Sequence, residues 1–157
     1  MSASGSRLPI LSVGHTGITV SDLDRSVAFY RDVMGFPVTE TIRLGGELVA
    51  QVTGLPEAEI DIVFVTAPGH TIELLSYVKP EDRARSTLRP CDPGFFHLCF
   101  MVDDIDRVVE TVGAAGFEPA GPVPTVQHGP KKGRRAIYTR DPDGVVLEFM
   151  EDPKGEG

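Results

Sequence analysis

The chain repeats itself, and that repeat restricts its fold more than any other feature. Aligned so that His15 falls on His97, Val20 meets Val102, Asp22 meets Asp104, Leu23 meets Ile105, Asp24 meets Asp106, Arg25 meets Arg107 and Val27 meets Val109. With small length changes, Gly35-Phe36 then falls on Gly116-Phe117, and Ile72-Glu73-Leu74 falls on Leu147-Glu148-Phe149. A shared order of this kind points to duplication, so both halves are expected to build the same unit.

Periodicity and punctuation describe that unit. Residues 15–20 alternate, with Ile18 and Val20 on one face and His15, Gly17 and Thr19 on the other, as a half-buried strand does. Ser21 is expected to cap a helix whose apolar stripe is Leu23, Val27, Tyr30 and Met34 and whose stop is Gly35. Strands are expected over 37–43, 60–66 and 71–78, the last two joined by the turn Ala67-Pro68-Gly69. The second half repeats the order: a strand over 96–102, a helix over 104–115 ended by Gly116, and strands near Glu118, over 134–140 and over 145–151, with Asp141-Pro142-Asp143-Gly144 as the hairpin turn. The fold class is therefore α+β, two tandem βαβββ modules. The first module is expected over 7–78, a charge- and proline-rich linker over 79–92 and the second module over 93–152, with the head over 1–6 and the tail over 152–157 loosely ordered.

Composition narrows the partners. A chain of 157 residues, 41% hydrophobic, suits one compact unit, and 23 acids against 15 bases exclude a general attraction to nucleic acid or to an anionic membrane. No apolar run approaches the ~20 residues of a membrane helix, and the polar N-terminus carries no apolar signal core. Cys91 and Cys99 are too few for a disulfide framework. A soluble, cytoplasmic protein with reduced thiols and a small-molecule partner is expected. Each module leaves edge strands open, so a homodimer is expected as well.

Four polar side chains then stand out on the strands. His15 shares a face with Gly17 and Thr19, and His97 with Cys99 and Met101. Glu73 interrupts the apolar run Ile72-Glu73-Leu74-Leu75, and Glu148 interrupts a run from Val145 to Met150. A mid-strand carboxylate loses several kcal/mol of hydration unless it is paired or coordinated. One divalent cation answers all four residues, and imidazole with carboxylate suits zinc, iron, manganese, cobalt or nickel. The plainer alternative is that each Glu faces solvent and each His is a half-buried imidazole, but a solvated face gives no reason for the pattern to recur in both repeats.

The segment from Gly14 to Phe36, opening Gly14-His15-Thr16-Gly17-Ile18-Thr19-Val20-Ser21-Asp22, resembles the opening motif of the vicinal oxygen chelate superfamily. Thr139-Arg140-Asp141-Pro142-Asp143-Gly144-Val145-Val146-Leu147-Glu148 resembles its closing motif, a hairpin ending on a ligand Glu. That superfamily includes glyoxalase, methylmalonyl-CoA epimerase, extradiol dioxygenases, fosfomycin resistance enzymes and bleomycin resistance proteins. The resemblance, over residues 10 to 152, implies paired modules that curve around a metal cavity, with His15, Glu73, His97 and Glu148 as ligands.

A ligand at all four positions resembles glyoxalase and the epimerase, in which a metal polarises a carbonyl and a carboxylate moves a proton. Extradiol dioxygenases use two His and one Glu, so Glu73 favours isomerase, epimerase or lyase chemistry on a small carbonyl or thioester, with ring-cleaving oxygenation as the alternative. Glu148 or Glu73 is the expected base, and Glu47 in the Gly45-Gly46-Glu47 loop a lesser candidate or an ordinary exposed acid. No segment matches the glutathione contacts of glyoxalase. A drug-sequestering protein on this fold is marked by loss of the ligands, and all four are present. The wall beside them (Thr19, Cys99, Met101, Leu75, Tyr77, Val146 and Met150) suits an apolar or aromatic substrate with one pair of chelating oxygens, with Cys99 expected as a small buried thiol. Lys131, Lys132, Arg134, Arg135 and His128 form a loop that either meets an anion at the cavity mouth or is simply solvated.

Overall fold

In the computed structural model of the protein, residues 8–153 are described. The head expected to be loose, over 1–6, lies outside them, as does the tail beyond 153. The first half contains β1 (Thr16–Thr19), α1 (Leu23–Ala28), β2 (Ile42–Leu44), α2 (Glu47–Thr53), β3 (Glu59–Ala67) and β4 (His70–Lys79). The second contains β5 (Leu98–Met101), α3 (Ile105–Ala114), β6 (Glu118–Pro119), β7 (Arg135–Arg140) and β8 (Val146–Glu151). Each half makes its own four-stranded mixed sheet, in the orders β1-β4-β3-β2 and β5-β8-β7-β6. The first strand of each module runs parallel to the last, and the remaining pairs are antiparallel.

Helix entry differs from expectation by one residue. Asp22, not Ser21, caps α1, its carboxylate accepting Arg25 N–H at 2.9 Å, and Asp104 does the same for Arg107 at the start of α3, at 3.1 Å. Ser21 has another role: its backbone N–H and its hydroxyl both donate to Asp143 of the other module, at 2.9 and 2.6 Å. Nor does α1 continue unbroken to Met34. It widens into a π-helical turn, Phe29–Val33, closed by Met34 N–H on Phe29 C=O at 3.0 Å. Around this turn the consecutive rings of Phe29 and Tyr30 are both buried, at 5% and 2% exposure.

Two further elements correct the sequence reading. The strand expected over 37–43 is reduced to β2 and an isolated bridge between Val38 and Val65. Here the Thr39 hydroxyl accepts Phe64 N–H at 3.1 Å, substituting a side chain for part of the ladder. The loop expected around Glu47 holds α2, bounded by Gly46 and by Gly54, whose φ of 72° supplies the left-handed C-terminal stop.

The helix-facing sides of both sheets share one core. Ile18, Val20, Ile72 and Leu74 of the first module and Ile105, Leu147 and Phe149 of the second belong to it, and Phe29 stacks on Phe117 across the boundary at 4.1 Å. The opposite sides of the two sheets, which carry the histidines and glutamates, therefore face away from this core. Between modules the chain over 80–97 carries no helix or strand and runs mostly exposed, held where Arg140 donates to Leu88 C=O at 2.8 Å. It passes so close over Gly144 that any Cβ there would collide with the Ser86 carbonyl.

Candidate metal centre

Parallel pairing brings each histidine to its glutamate. β1 and β4 are in register with Gly17 opposite Glu73, so His15, two residues before Gly17, lies on the same face. His15 Nε2 is 3.0 Å from Glu73 Oε2. In the second module Cys99 is opposite Glu148, and His97 Nε2 is 3.1 Å from Glu148 Oε2. Both carboxylates are largely withdrawn from water, at 15% and 16% exposure, while the imidazoles remain 45% and 35% exposed. A buried acid is thus answered by an imidazole in each repeat, and each pair keeps an open flank.

The four residues do not meet in one chain. Among the described residues, no three His, Cys, Asp or Glu side chains come close enough together to hold one ion. The reason is the packing of the modules: they join through their helix-facing sides, so the two pairs stand on separate outward faces.

The two faces differ chemically. Around His15 and Glu73 the wall is apolar. Phe64, opposite Glu73 in the ladder, sets its ring 6.1 Å from that of His15, and α2 lays Val49 over Ile60, Ile62, Phe64, Leu75 and Tyr77. Gly17 leaves room beside the acid, since a Cβ there would stand 3.7 Å from Glu73 Oε2. Around His97 and Glu148 the wall is aromatic and polar. Tyr138 is opposite Glu148, its ring 4.9 Å from His97, and Phe95 lies 6.1 Å from His97 and 6.0 Å from Tyr138. Burial, with the charges of Glu148 and Cys99 adding to it, raises the Tyr138 phenol above its ordinary pKa. Burial and the adjacent Glu148 push the Cys99 thiol up to about 11, so it stays protonated at neutral pH.

Sequence reasoning did not single out Phe64, Phe95 or Tyr138. Alternation along β7 already puts Tyr138 on the face opposite Ile137, but only the register with β8 shows that this is the Glu148 face. Of the other candidates only Arg134 stays beside a pair, its Nη1 lying 3.8 Å from Met150 Sδ on the Glu148 face and its charge acting on Cys99. Glu47 is exposed at the start of α2 and accepts Gln51 Nε2–H at 2.9 Å. Arg134 donates to Asp152 at 2.6 Å and Arg135 grips Asp106 with two bonds of 2.7 and 2.6 Å, while Lys131, Lys132 and His128 are exposed. Val146, expected in the wall, is buried at 4% exposure, and Met101 is 55% exposed.

Two βαβββ repeats, each with a His–Glu pair at the same place on its open face, define a class of proteins built from paired modules. The family model of the Glyoxalase/Bleomycin resistance protein/Dioxygenase superfamily matches residues 12–149, and the chain belongs to that superfamily. It is 31% identical over 151 residues to 2-epi-5-epi-valiolone epimerase from Actinomyces sp, a match covering 92% of this chain and 81% of that protein. It is 30% identical over 152 residues to lactoylglutathione lyase from Haemophilus influenzae, covering 90% and 93% of the two chains. The structure of a glyoxalase family protein from Bacillus cereus superposes with a TM-score of 0.80 at 25% identity, covering 95% of this chain and 99% of that one. Among the described residues no helix is long and apolar enough to cross a membrane.

Proposed function

We propose that the protein is a divalent-metal-dependent enzyme that moves a proton at a carbon next to a carbonyl, epimerising or isomerising a small hydroxycarbonyl compound. It works as a homodimer, each metal centre combining His15 and Glu73 of one copy with His97 and Glu148 of another. The observation that carries this reading is the pair of matched contacts, 3.0 and 3.1 Å, on two outward faces that do not meet among the described residues of one chain. Two imidazole nitrogens and two carboxylate oxygens fit an ion of borderline hardness, namely zinc, iron, manganese, cobalt or nickel.

When bound, such an ion supplies electrophilic polarisation of the substrate carbonyl. The remaining work falls to the chain's own groups. Glu148 or Glu73 accepts the proton from the carbon beside the carbonyl and returns it, to the same or the opposite face. The protonated Tyr138 hydroxyl beside Glu148 offers a donor to a substrate oxygen. Phe64, Leu75 and Tyr77 shield the reacting carbon from water. The similarity to an epimerase over 92% of the chain favours stereochemical inversion within this class.

The test is solvent exchange. Metal-loaded protein is incubated in heavy water with a panel of 2-hydroxyketones, polyhydroxylated cyclic ketones among them, and followed by NMR for deuterium at the carbon next to the carbonyl and for isomer composition. Exchange or inversion that Glu148→Gln suppresses supports the proposal. Oxygen uptake with catechols, retained after Glu73→Ala, would replace it with a dioxygenase.

A further inference from the structure

Beside the second His–Glu pair lies a cavity of about 530 Å³ of which the proton transfer uses only Tyr138. Its walls include Pro90 and Phe95 from the chain between modules, Pro119 and Ala120 beyond α3, and Tyr138 and Arg140 from β7. Two of these, Phe95 and Tyr138, are the rings that flank His97 at 6.1 and 4.9 Å, so the cavity and the candidate centre share a wall. The volume falls within the range that binds small molecules, roughly 300–1,000 Å³.

We propose that this cavity receives a planar aromatic or conjugated group of the substrate while the substrate's two oxygens are held at the neighbouring centre. The lining selects this class by what it offers and by what it withholds. Two rings and three prolines, Pro90, Pro119 and Pro142, present flat apolar surface, suited to stacking. Arg140 is the cation of the wall, yet its Nη1 donates to Gly144 C=O at 3.2 Å and its Nη2 to Leu88 C=O at 2.8 Å, while its guanidinium lies 5.8 Å from the Phe95 ring centroid. Anchored in this way, Arg140 presents a face for a π system rather than a free fork for a carboxylate or phosphate. Glu118 and Asp141 also line the cavity and oppose an anionic occupant. The inference rests on the metal-centre reading and extends it by naming the shape of the group next to the chelating oxygens.

The experiment is calorimetric titration of manganese-loaded protein with two bidentate oxygen chelators, acetohydroxamate and benzohydroxamate, which differ in the ring. Benzohydroxamate is expected to bind about tenfold more tightly. Ala120, which is exposed and contributes to the wall, is then enlarged in steps, Ala120→Val, Ala120→Leu and Ala120→Phe, with thermal melting to confirm folding at each step. The ring preference should fall along the series toward parity, while acetohydroxamate affinity stays within about twofold. A ring preference absent from the parent, or unchanged by every folded variant, overturns the cavity assignment and leaves the metal reading standing. Failure of both chelators to bind overturns the metal reading and this inference together.

Discussion

The carboxylate of Asp143 receives the Ser21 hydroxyl at 2.6 Å across the boundary between the two modules. It also accepts the Ser21 backbone N–H at 2.9 Å and Arg25 Nη2–H at 2.6 Å, so three donors of the first module converge on one acid of the second. The Asp143 side chain is only 5% exposed, whereas Ser21 is exposed and Arg25 is 38% exposed, so removing the Asp143 carboxylate takes a shared acceptor from donors that water can still reach. Asp143→Ala should cost roughly 1–2 kcal/mol, read from urea denaturation of the parent and the variant. A loss below about 0.5 kcal/mol, the scale of an ordinary surface substitution, would show that the modules are held by the apolar core alone.

Asp141 and Asp143, two residues apart, should respond to pH with opposite signs. Burial opposes ionisation of Asp143, but the Ser21 and Arg25 donors outweigh it and hold its carboxyl below the usual range. Its contribution is present above the unfolded value of about 3.9 and is lost as pH falls through the lower folded value. Asp141 is raised, chiefly by burial, although its carboxylate accepts N–H bonds from Asp143 and Val145, each at 2.8 Å. Ionising it therefore costs stability as pH rises above about 3.9. Melting curves at pH 7 should show Asp143→Asn destabilised and Asp141→Asn tolerated or slightly stabilised, with both differences shrinking in acid. The same sign for both variants at pH 7 would contradict the assignment.

The two thiols should separate by reactivity. Cys91 is exposed, whereas Cys99 is half-buried with its thiol pushed up to about 11 by burial and Glu148. Iodoacetamide at pH 8, followed by peptide mass spectrometry, should label Cys91 first and Cys99 at least ~10-fold more slowly, because the thiolate is the reacting species. Equal rates would mean that the face of the second sheet is more open than described.

Much of this could be read from the residues, and the parts that could not have physical causes. Alternation and duplication placed His15, Glu73, His97 and Glu148 on equivalent faces because each is polar within an apolar strand. The short helix α2 escaped because only Val49 among its residues is buried, so it carries no helical stripe. The π-helical turn at Phe29 escaped because two adjacent buried rings look the same in sequence whether a helix widens or ends there. Which sides of the two sheets pack together is also absent from a strand pattern, which marks two faces without saying what covers them. For that reason the strand pattern left open whether the four ligands meet within one chain or between two copies, and among the described residues they stand two and two.

Association should follow from the surfaces left uncovered. Phe96 is 62% and Met101 55% exposed on or beside β5, and the apolar run before β1 includes Leu11 at 99% and Val13 at 79%. The free edges of β1 and β5 lie next to these residues. Light scattering at micromolar concentration should give about twice the chain mass, and Phe96→Asp should shift the protein toward monomer on dilution. A monomer at every concentration would remove the basis for a centre shared between copies.

The shared centre itself is tested most directly by complementation. One variant carries His15→Ala with Glu73→Ala, and a second carries His97→Ala with Glu148→Ala. Alone, neither can assemble a complete set of ligands. Mixed by co-expression and purified as a heterodimer with two different tags, they leave one intact centre, made of the first pair of one chain and the second pair of the other. Elemental analysis should find one metal ion per parent chain, none in either variant alone, and one per heterodimer. A heterodimer as empty as its parts, beside a fully loaded parent, would contradict a centre built between copies.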